Sequence, residues 1–153
     1  MLSQSKFKVG IIYLASPFFN EEQSDREIRV ANKLTSLGYV VIRPRQLGII
    51  SPDASQEERD AMMKMDLDAI HRADAVFVIT NDKDQGTHIE AGIAISSNIP
   101  VIYFGEGFTG KFNLMLAATG KAIFTEIDTI TRELMDRAIW SEVRVNTYEG
   151  EVE

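Results

Sequence analysis

The feature that most restricts the fold is a short run, Ala75-Val76-Phe77-Val78-Ile79-Thr80, in which only the last residue is polar. A run of this length that ends in a polar bend is typical of a strand. A strand without a polar face has to be covered on both sides, as happens in parallel sheets with helices packed against both faces. The run therefore indicates an α/β fold.

Segments of two kinds alternate along the chain. Strands are predicted at 8–15, 39–42, 75–80, 101–104 and 122–125, and helices at 20–37, 56–73, 87–97, 113–118 and 128–140. Strands that alternate with helices form parallel neighbours joined by crossover helices. We therefore expect a doubly wound, mostly parallel five-stranded sheet flanked by helices, flavodoxin- or Rossmann-like, built as a single domain over residues 1–153.

Polar caps and glycines set the expected ends of the helices. Asn20 and Asp128 are predicted to be N-caps, and Gly38 is expected to end the first helix. Residues 46–55 have no apolar periodicity and are predicted to be a loop. A loop of this length after a strand is often a substrate lid.

Charge and residue usage exclude several classes of function. The formal net charge is −7, which disfavours nucleic acid and anionic membranes as partners because phosphate binding needs a basic surface. There is no cysteine, so disulfides, thiolate chemistry and cysteine-based zinc sites are excluded. His71 and His88 are not spaced as a pair of metal ligands, and no metal is expected. The sequence shows no signal peptide or membrane span, so a cytoplasmic location is the default expectation.

The stretch from Asp84 to Glu90 has two interpretations. Thr87 is a plausible N-cap and Glu90 follows three residues later, which is the capping-box pattern. Alternatively, Glu90 lies in the first turn of a helix at the carboxyl edge of the sheet, where open α/β sheets bind ligands. A carboxylate there, with Asp84 nearby and Gly86 allowing close approach, could act as a nucleophile toward a sugar carbon.

Four further residues stay open on pattern alone. Tyr13 ends the first predicted strand, and core packing is the favoured interpretation. Phe18 and Phe19 are either core or the apolar wall of a pocket. Asp66 lies near the apolar stripe of the second predicted helix, where a carboxylate is costly unless it is paired or lines a wet site.

The order of these residues resembles the nucleoside 2-deoxyribosyltransferase family. The matching segments lie at the first strand (12–19), in the second helix (66–67, Ile70 and 73–74) and in the central stretch (Asp84, 86–87 and 90–92). Two further segments match at 113–115 and, near the end of the chain, at 148–150. They cover almost the whole chain in the family's order. No single piece is specific, since the Gly-Thr-x-x-Glu element also occurs in phosphoribohydrolases of the cytokinin-activating kind, and the ordered set carries the resemblance.

The resemblance implies an enzyme without a cofactor. Glu90 matches the nucleophile, Tyr13 the tyrosine that orients it, and Asp66 and Asp84 the acids that contact and help protonate the leaving base. Substrate contacts are implied at Ala15, Phe18, Gly86, Asn113, Met115 and Tyr148. Asn113 and Met115 match residues that a neighbouring subunit supplies, which implies an obligatory homo-oligomer, either a dimer or a hexamer. The last residues, 151–153, differ in composition from members whose terminal carboxylate contacts the sugar.

The expected reaction is transfer of a 2-deoxyribosyl group from a deoxynucleoside to a free nucleobase through a covalent glutamyl intermediate, with net retention. One alternative is a deoxynucleoside 5-monophosphate N-glycosidase of the same superfamily. Such members hold the phosphate with a Gly/Ser/Arg-rich turn after the first strand and with a serine from the neighbour. Here the turn is Ser16-Pro17-Phe18-Phe19 and Asn113 replaces that serine, and both differences favour a free nucleoside. A third interpretation, a non-catalytic nucleotide sensor, is disfavoured by the full set of carboxylates.

Overall fold

A parallel sheet forms the centre of the fold in the computed structural model, which describes residues 9–153. Its strands are β1 (Ile11–Ala15), β2 (Val40–Ile42), β3 (Ala75–Ile79), β4 (Val101–Phe104) and β5 (Ala122–Phe124). Their order is β2-β1-β3-β4-β5, and every neighbouring pair is parallel. The predicted doubly wound sheet is therefore confirmed, while Lys8, the predicted start of the first strand, lies outside the described residues.

Helices connect the strands and cover both faces of the sheet. They are α1 (Glu21–Ser36), α2 (Pro44–Leu47), α3 (Gln56–Arg72), α4 (Gln85–Ser96), α5 (Leu114–Thr119) and α6 (Arg132–Trp140), with a 3₁₀ turn at Ile127–Thr129. Within residues 9–153, no helix combines the length and the apolar character that crossing a bilayer would need.

The core has two layers because side chains alternate along each strand. Ile12 and Leu14 of β1 face the layer that α1 and α6 cover, whereas Tyr13 and Ala15 face the layer that α3 and α4 cover. All five residues of β3 are buried. The central apolar run is thus covered on both faces, as its composition predicts.

The connections after β1 and β3 leave the sheet in opposite directions. The two strands are direct neighbours, with Tyr13 opposite Val76 and Ala15 opposite Val78. The chain then continues from β1 into α1 on one face and from β3 into α4 on the other face. Divergence of this kind opens a crevice at the carboxyl ends of the two strands, which is where doubly wound folds bind ligands.

Some helix ends differ from the expectation. Asn20 caps α1 by accepting a 2.9 Å hydrogen bond from Gln23 N, and Gly38 follows that helix with a φ of 97°, so both predictions are confirmed. Asp128 is not a cap. It lies in the 3₁₀ turn, and the Thr131 hydroxyl caps α6 instead, because the chain has to turn once more before the helix can pack against the sheet.

The predicted loop at 46–55 is only partly irregular. Pro44 occupies the first turn of α2, where its missing N–H costs nothing, and that helix extends to Leu47. Ser55 then caps α3 in a capping box with Glu58. The irregular segment between the two helices is accordingly shorter than the sequence pattern predicts.

Candidate active site

The start of α4 is set by Asp84. Its Oδ2 atom accepts hydrogen bonds from Thr87 N and Thr87 Oγ1, both at 2.8 Å. The helix therefore begins at Gln85, and the predicted Thr87 cap and its capping box with Glu90 are wrong. Asp and Thr are both good caps, and here the aspartate lies where it can reach the amide three residues on. Glu90 consequently lies in the second turn, with a carboxylate that the cap does not use.

Three buried oxygen atoms near the carboxyl end of β1 have no regular hydrogen-bond partner. They are Tyr13 Oη, Asp66 Oδ1 and Glu90 Oε2, and within residues 9–153 the one other such side-chain atom is Arg26 Nε. A buried polar atom without a partner costs about 1–3 kcal/mol. Such atoms are rare in folded proteins, and a group of them in one place is expected where a ligand supplies the missing partners.

Burial and neighbouring charges change the acidity of Glu90. Burial is the main cause that raises its pKa to about 7, and the negative charges of Asp66 and Asp84 raise it further. The Tyr13 hydroxyl opposes this effect as a donor toward the carboxylate, although its geometry falls short of a regular hydrogen bond. Glu90 can therefore be ionised or protonated near neutral pH.

The same side chains act on one another. Burial, followed by the charge of Glu90 and then that of Asp66, raises the pKa of Tyr13, so that its hydroxyl keeps its proton. Burial also raises the pKa of Asp66. These mutual effects show that β1, α3 and α4 bring Tyr13, Asp66, Asp84 and Glu90 together. We call these four residues the Glu90 cluster. Core packing accounts for the buried ring of Tyr13 but leaves its hydroxyl unexplained.

His88 belongs to this region and was not identified from the sequence. Its Nδ1 atom lies 2.7 Å from the carbonyl oxygen of Asp84, and its Nε2 atom lies 2.8 Å from Thr80 Oγ1. Because a carbonyl only accepts, Nδ1 must carry the proton of that bond. His88 thereby fixes the backbone of Asp84, whose Oδ1 atom makes no hydrogen bond within residues 9–153. The available sequence signal was that His88 follows Asp84 by four residues, a spacing at which helical side chains are neighbours.

Three of the predicted substrate contacts lie at the ends of β1 and β3. Ala15 is buried at the end of β1, and Phe18 is half-buried in the turn that follows, with the Arg45 guanidinium 5.6 Å from its ring centroid. Gly86 is exposed in the first turn of α4, and a Cβ there would lie 3.4 Å from Asp84 Oδ2. These three positions border the crevice between β1 and β3.

The other three predicted contacts lie elsewhere in the chain. Asn113 caps α5 by accepting from Met115 N at 2.9 Å, and Met115 is 68% exposed. Tyr148 packs against Phe108 and Phe112, and its hydroxyl donates to the Gly110 carbonyl. Tyr148 packs against the same core layer as Tyr13, but within residues 9–153 no hydrogen bond or ring contact joins Asn113, Met115 or Tyr148 to Glu90.

The last residues lie along the segment before α5. Phe112 N donates to Glu151 O and Glu153 N donates to Phe112 O, both at 2.9 Å, and Leu114 N donates to Glu153 O at 2.7 Å. Together with the Tyr148 contacts, these bonds tie the tail to the segment that carries Asn113. A separate depression of about 430 Å³ contains no member of the Glu90 cluster and is lined by Leu47, Met65, Asp68, His71 and Arg72.

Comparisons with known proteins identify relatives of this chain. A search of curated proteins gave no match that meets its threshold. The solved structure of a 2-deoxyribosyltransferase from Bacillus psychrosaccharolyticus is 35% identical, with a TM-score of 0.69 over 77% of this chain and 88% of that one. The CMP N-glycosidase BcmB from Clostridium botulinum, at 22% identity and a TM-score of 0.54 over 77% and 92% of the two chains, shares the fold.

A family model gives the assignment. The model described as nucleoside 2-deoxyribosyltransferase matches residues 12–132, a range that includes the whole Glu90 cluster. Together with the 35% identical relative, this match identifies an enzyme of the deoxyribosyltransferase superfamily. The chain belongs to the nucleoside 2-deoxyribosyltransferase family.

Proposed function

We propose that the protein transfers a 2-deoxyribosyl group between nucleobases by double displacement, with Glu90 as the nucleophile. The observation that carries this proposal is the grouping of unpartnered buried oxygens on Tyr13, Asp66 and Glu90. A deoxynucleoside in the crevice would supply polar partners to these atoms and present its anomeric carbon to the carboxylate. The family assignment supports the same chemistry.

The reaction consists of two displacements. In the first, a Glu90 oxygen bonds to the anomeric carbon, the glycosidic bond breaks, and its electron pair leaves with the base. Asp66 or Asp84 donates a proton or a hydrogen bond to that base. In the second, a nitrogen of the incoming base attacks the same carbon, its proton passes to the aspartate that assisted the first base, and Glu90 leaves, so two inversions give net retention. Tyr13 keeps its proton and directs its hydroxyl toward the Glu90 carboxylate.

The proposed roles require the acids of the site to differ in protonation. The nucleophile has to be ionised, whereas the acid on the base side has to hold a proton at least transiently. The negative charges of Asp66 and Asp84 both raise the pKa of Glu90. With the pKa of Glu90 at about 7, a proton can be shared within the cluster near neutral pH.

Free nucleosides fit the site better than nucleotides do. Arg45 is the cation beside the turn after β1, but it donates to Ser24 Oγ at 2.9 Å and to Glu27 Oε2 at 3.3 Å. The Glu90 cluster contributes negative charge to the same crevice, and a 5-phosphate would be repelled there. These observations favour transfer from a deoxynucleoside over hydrolysis of a deoxynucleotide.

We also propose that a neighbouring copy completes each site. Met115 is 68% exposed although it is apolar, and Asn113 lies beside it at the start of α5. Burial of this surface against a second copy would bring both side chains to the sugar site of that copy, as the family resemblance implies. A homo-oligomer, dimeric or hexameric, follows from this part of the proposal.

A donor and acceptor panel tests the proposed function. Deoxynucleosides and their 5-monophosphates are incubated with and without a second nucleobase, and released base and new nucleoside are both quantified. We expect new nucleoside to form faster than free sugar whenever an acceptor is present, and monophosphates to react poorly. If base is released at the same rate with and without an acceptor and no new nucleoside forms, the protein is a hydrolase instead. A 2-fluoroarabinosyl analogue should leave an adduct on Glu90, detectable by peptide mass.

A further inference from the structure

Two adjacent residues of α1 carry buried charges that the proposed reaction does not use. Arg26 is 6% exposed and Glu27 is 2% exposed. A buried charge is tolerated only when it is paired, so each residue has to be held by groups on other elements. The two side chains contact different segments of the chain, so substituting one of them should affect a different part of the molecule from substituting the other.

Arg26 contacts the loops that follow β3 and β4. Its Nη1 atom lies 3.1 Å from Asp82 Oδ2 in the β3–α4 loop, and its Nε atom lies 3.5 Å from Glu106 Oε1 in the β4–α5 loop. Its Nη2 atom also donates to Glu22 at 2.9 Å, but that carboxylate is on α1 itself and is 80% exposed. The contacts with the two less exposed carboxylates therefore join α1 to the carboxyl edge of the sheet.

The two loops are also joined to each other. Asn81 Nδ2 donates to Glu106 O at 3.0 Å, and Glu106 N donates to Asn81 Oδ1 at 2.9 Å. Arg29 holds the Glu106 carboxylate from the outside through two bonds, one of 2.8 Å. Asn81 and Asp82 are thus fixed from the α1 side by residues that do not belong to their own loop.

This loop ends at Asp84, an acid of the Glu90 cluster. Asp82 is only two residues before it, and His88 holds the Asp84 carbonyl from the α4 side. Arg26 and His88 therefore hold the same short segment from opposite faces. Thr87 holds Asp84 Oδ2 directly, and Arg26 and His88 hold the backbone segment from which this carboxylate projects.

We propose that Arg26 is a positioning residue for departure of the base, acting through Asp82 on the carboxylate of Asp84. This inference rests on the proposed function and adds a residue that contacts neither the sugar nor the base. Without Arg26, Asp82 and Glu106 lose their shared cation and the loop shifts. A displacement of about 1 Å is enough to lower a rate by roughly a hundredfold, and the loss falls on the step that Asp84 assists.

Glu27 provides a matched control. It is equally buried on the same turn of α1, but it binds Arg43 through bonds of 2.7 and 2.6 Å and makes no contact with the β3–α4 loop. Arg26→Gln and Glu27→Gln are compared in single-turnover release of base from deoxyuridine and from 5-fluorodeoxyuridine, whose base leaves more readily. For a purine-specific enzyme, deoxyinosine and its 7-methylated cation replace this pair.

We expect Arg26→Gln to slow release from deoxyuridine about tenfold to a hundredfold, and release from the fluorinated donor by less than about threefold. Glu27→Gln should slow both donors by the same factor. Equal losses for both donors in Arg26→Gln, or the same donor-dependent loss in Glu27→Gln, overturn the inference. Wild-type protein that releases no base from any donor refutes the proposed function itself.

Folding is checked by circular dichroism before each assay. If Arg26→Gln does not fold, Arg26→Lys replaces it, because an ammonium keeps the charge but cannot make the same three contacts as a guanidinium. We expect the same dependence on the donor with a smaller ratio. Equal losses for the two donors in the folded lysine variant overturn the inference as well.

Discussion

Two glutamates of this protein, each with a buried carboxylate oxygen, have opposite surroundings. Glu27 on α1 accepts two bonds from Arg43, at 2.7 and 2.6 Å, and a third from Arg45 at 3.3 Å. Glu90 on α4 has a buried oxygen without a partner within the described residues, and Asp66 and Asp84 add further negative charge. The two residues share chemistry and helical context, yet only Glu27 is matched with cations.

The contrast distinguishes the charge of Glu27, which stabilises the fold, from the charge of Glu90, for which we propose a role in the reaction. Arginines beside Glu27 bind its carboxylate and join α1 to the segment after β2, where Arg45 also lies over the Phe18 ring. Glu90 is surrounded by carboxylates and has no such cation, and the proposed function requires a substrate to bond to this carboxylate. Carboxylates with a raised pKa in a crevice are typical of functional sites.

The largest expected effect is on turnover. Glu90→Gln keeps the shape of the side chain but removes the nucleophile, so we predict that kcat falls by about 10⁴-fold or more. Steady-state formation of new nucleoside measures it. Ser96→Ala, an exposed change on the same helix, serves as the control and should keep wild-type kcat. Turnover by Glu90→Gln within tenfold of wild type would exclude Glu90 as the nucleophile.

The next prediction concerns stability, where the change at Glu27 should have the larger effect and the change at Glu90 the smaller one. Glu27→Gln leaves Arg43 and Arg45 without their carboxylate, and we predict a loss of about 3–5 kcal/mol in the free energy of unfolding. Glu90→Gln removes a buried charge that has no cation and should leave stability unchanged or raise it. Chemical denaturation at pH 7 gives both values. Equal destabilisation by the two changes would remove the distinction between the residues.

A third prediction follows from the pKa of Glu90, which is about 7 in the folded chain against 4.5 for an ordinary glutamate. The folded protein then holds this proton more tightly than the unfolded chain. Its contribution to stability is complete below about pH 4.5 and is lost as the pH rises to about 7, a change of about 3 kcal/mol. Denaturation at several pH values should show this loss in the wild type but not in Glu90→Gln. Parallel curves for the two proteins would contradict the raised pKa.

Sequence pattern predicts the strands and helices better than it predicts the contacts of the charged side chains. The five strands lie within three residues of their predicted ends, because apolar runs and helical periodicity are local signals. The contacts of Arg26 and Glu27 are not local: Asp82 is 56 positions from Arg26, and Arg43 is 16 from Glu27. A pattern on α1 alone therefore cannot distinguish these residues from solvated ones.

The same limit applies to the site. Asp84 and Thr87 have similar capping propensity, and only the reach of the Asp84 side chain decides where α4 begins. The sequence pattern allows a solvated Asp66, whereas in the structure one of its oxygens is buried without a hydrogen-bond partner. The resemblance identified these residues as site candidates, whereas only the folded structure shows the environment that they share.

The smallest predicted effect tests how Tyr13 acts on Glu90. Tyr13→Phe keeps the buried ring but removes the hydroxyl that lowers the pKa of Glu90. We predict that kcat falls about tenfold to a hundredfold, and that the acid limb of the kcat/KM profile moves to higher pH. Tyr103→Phe is the matched control, because Tyr103 is buried in the same core layer and its hydroxyl lies 2.9 Å from Thr119 Oγ1. That variant should lose about 1 kcal/mol of stability and keep the acid limb in place. A limb that stays in place in Tyr13→Phe would mean that the hydroxyl does not act on the nucleophile, and Tyr13 would then resemble Tyr103 in being part of the core alone.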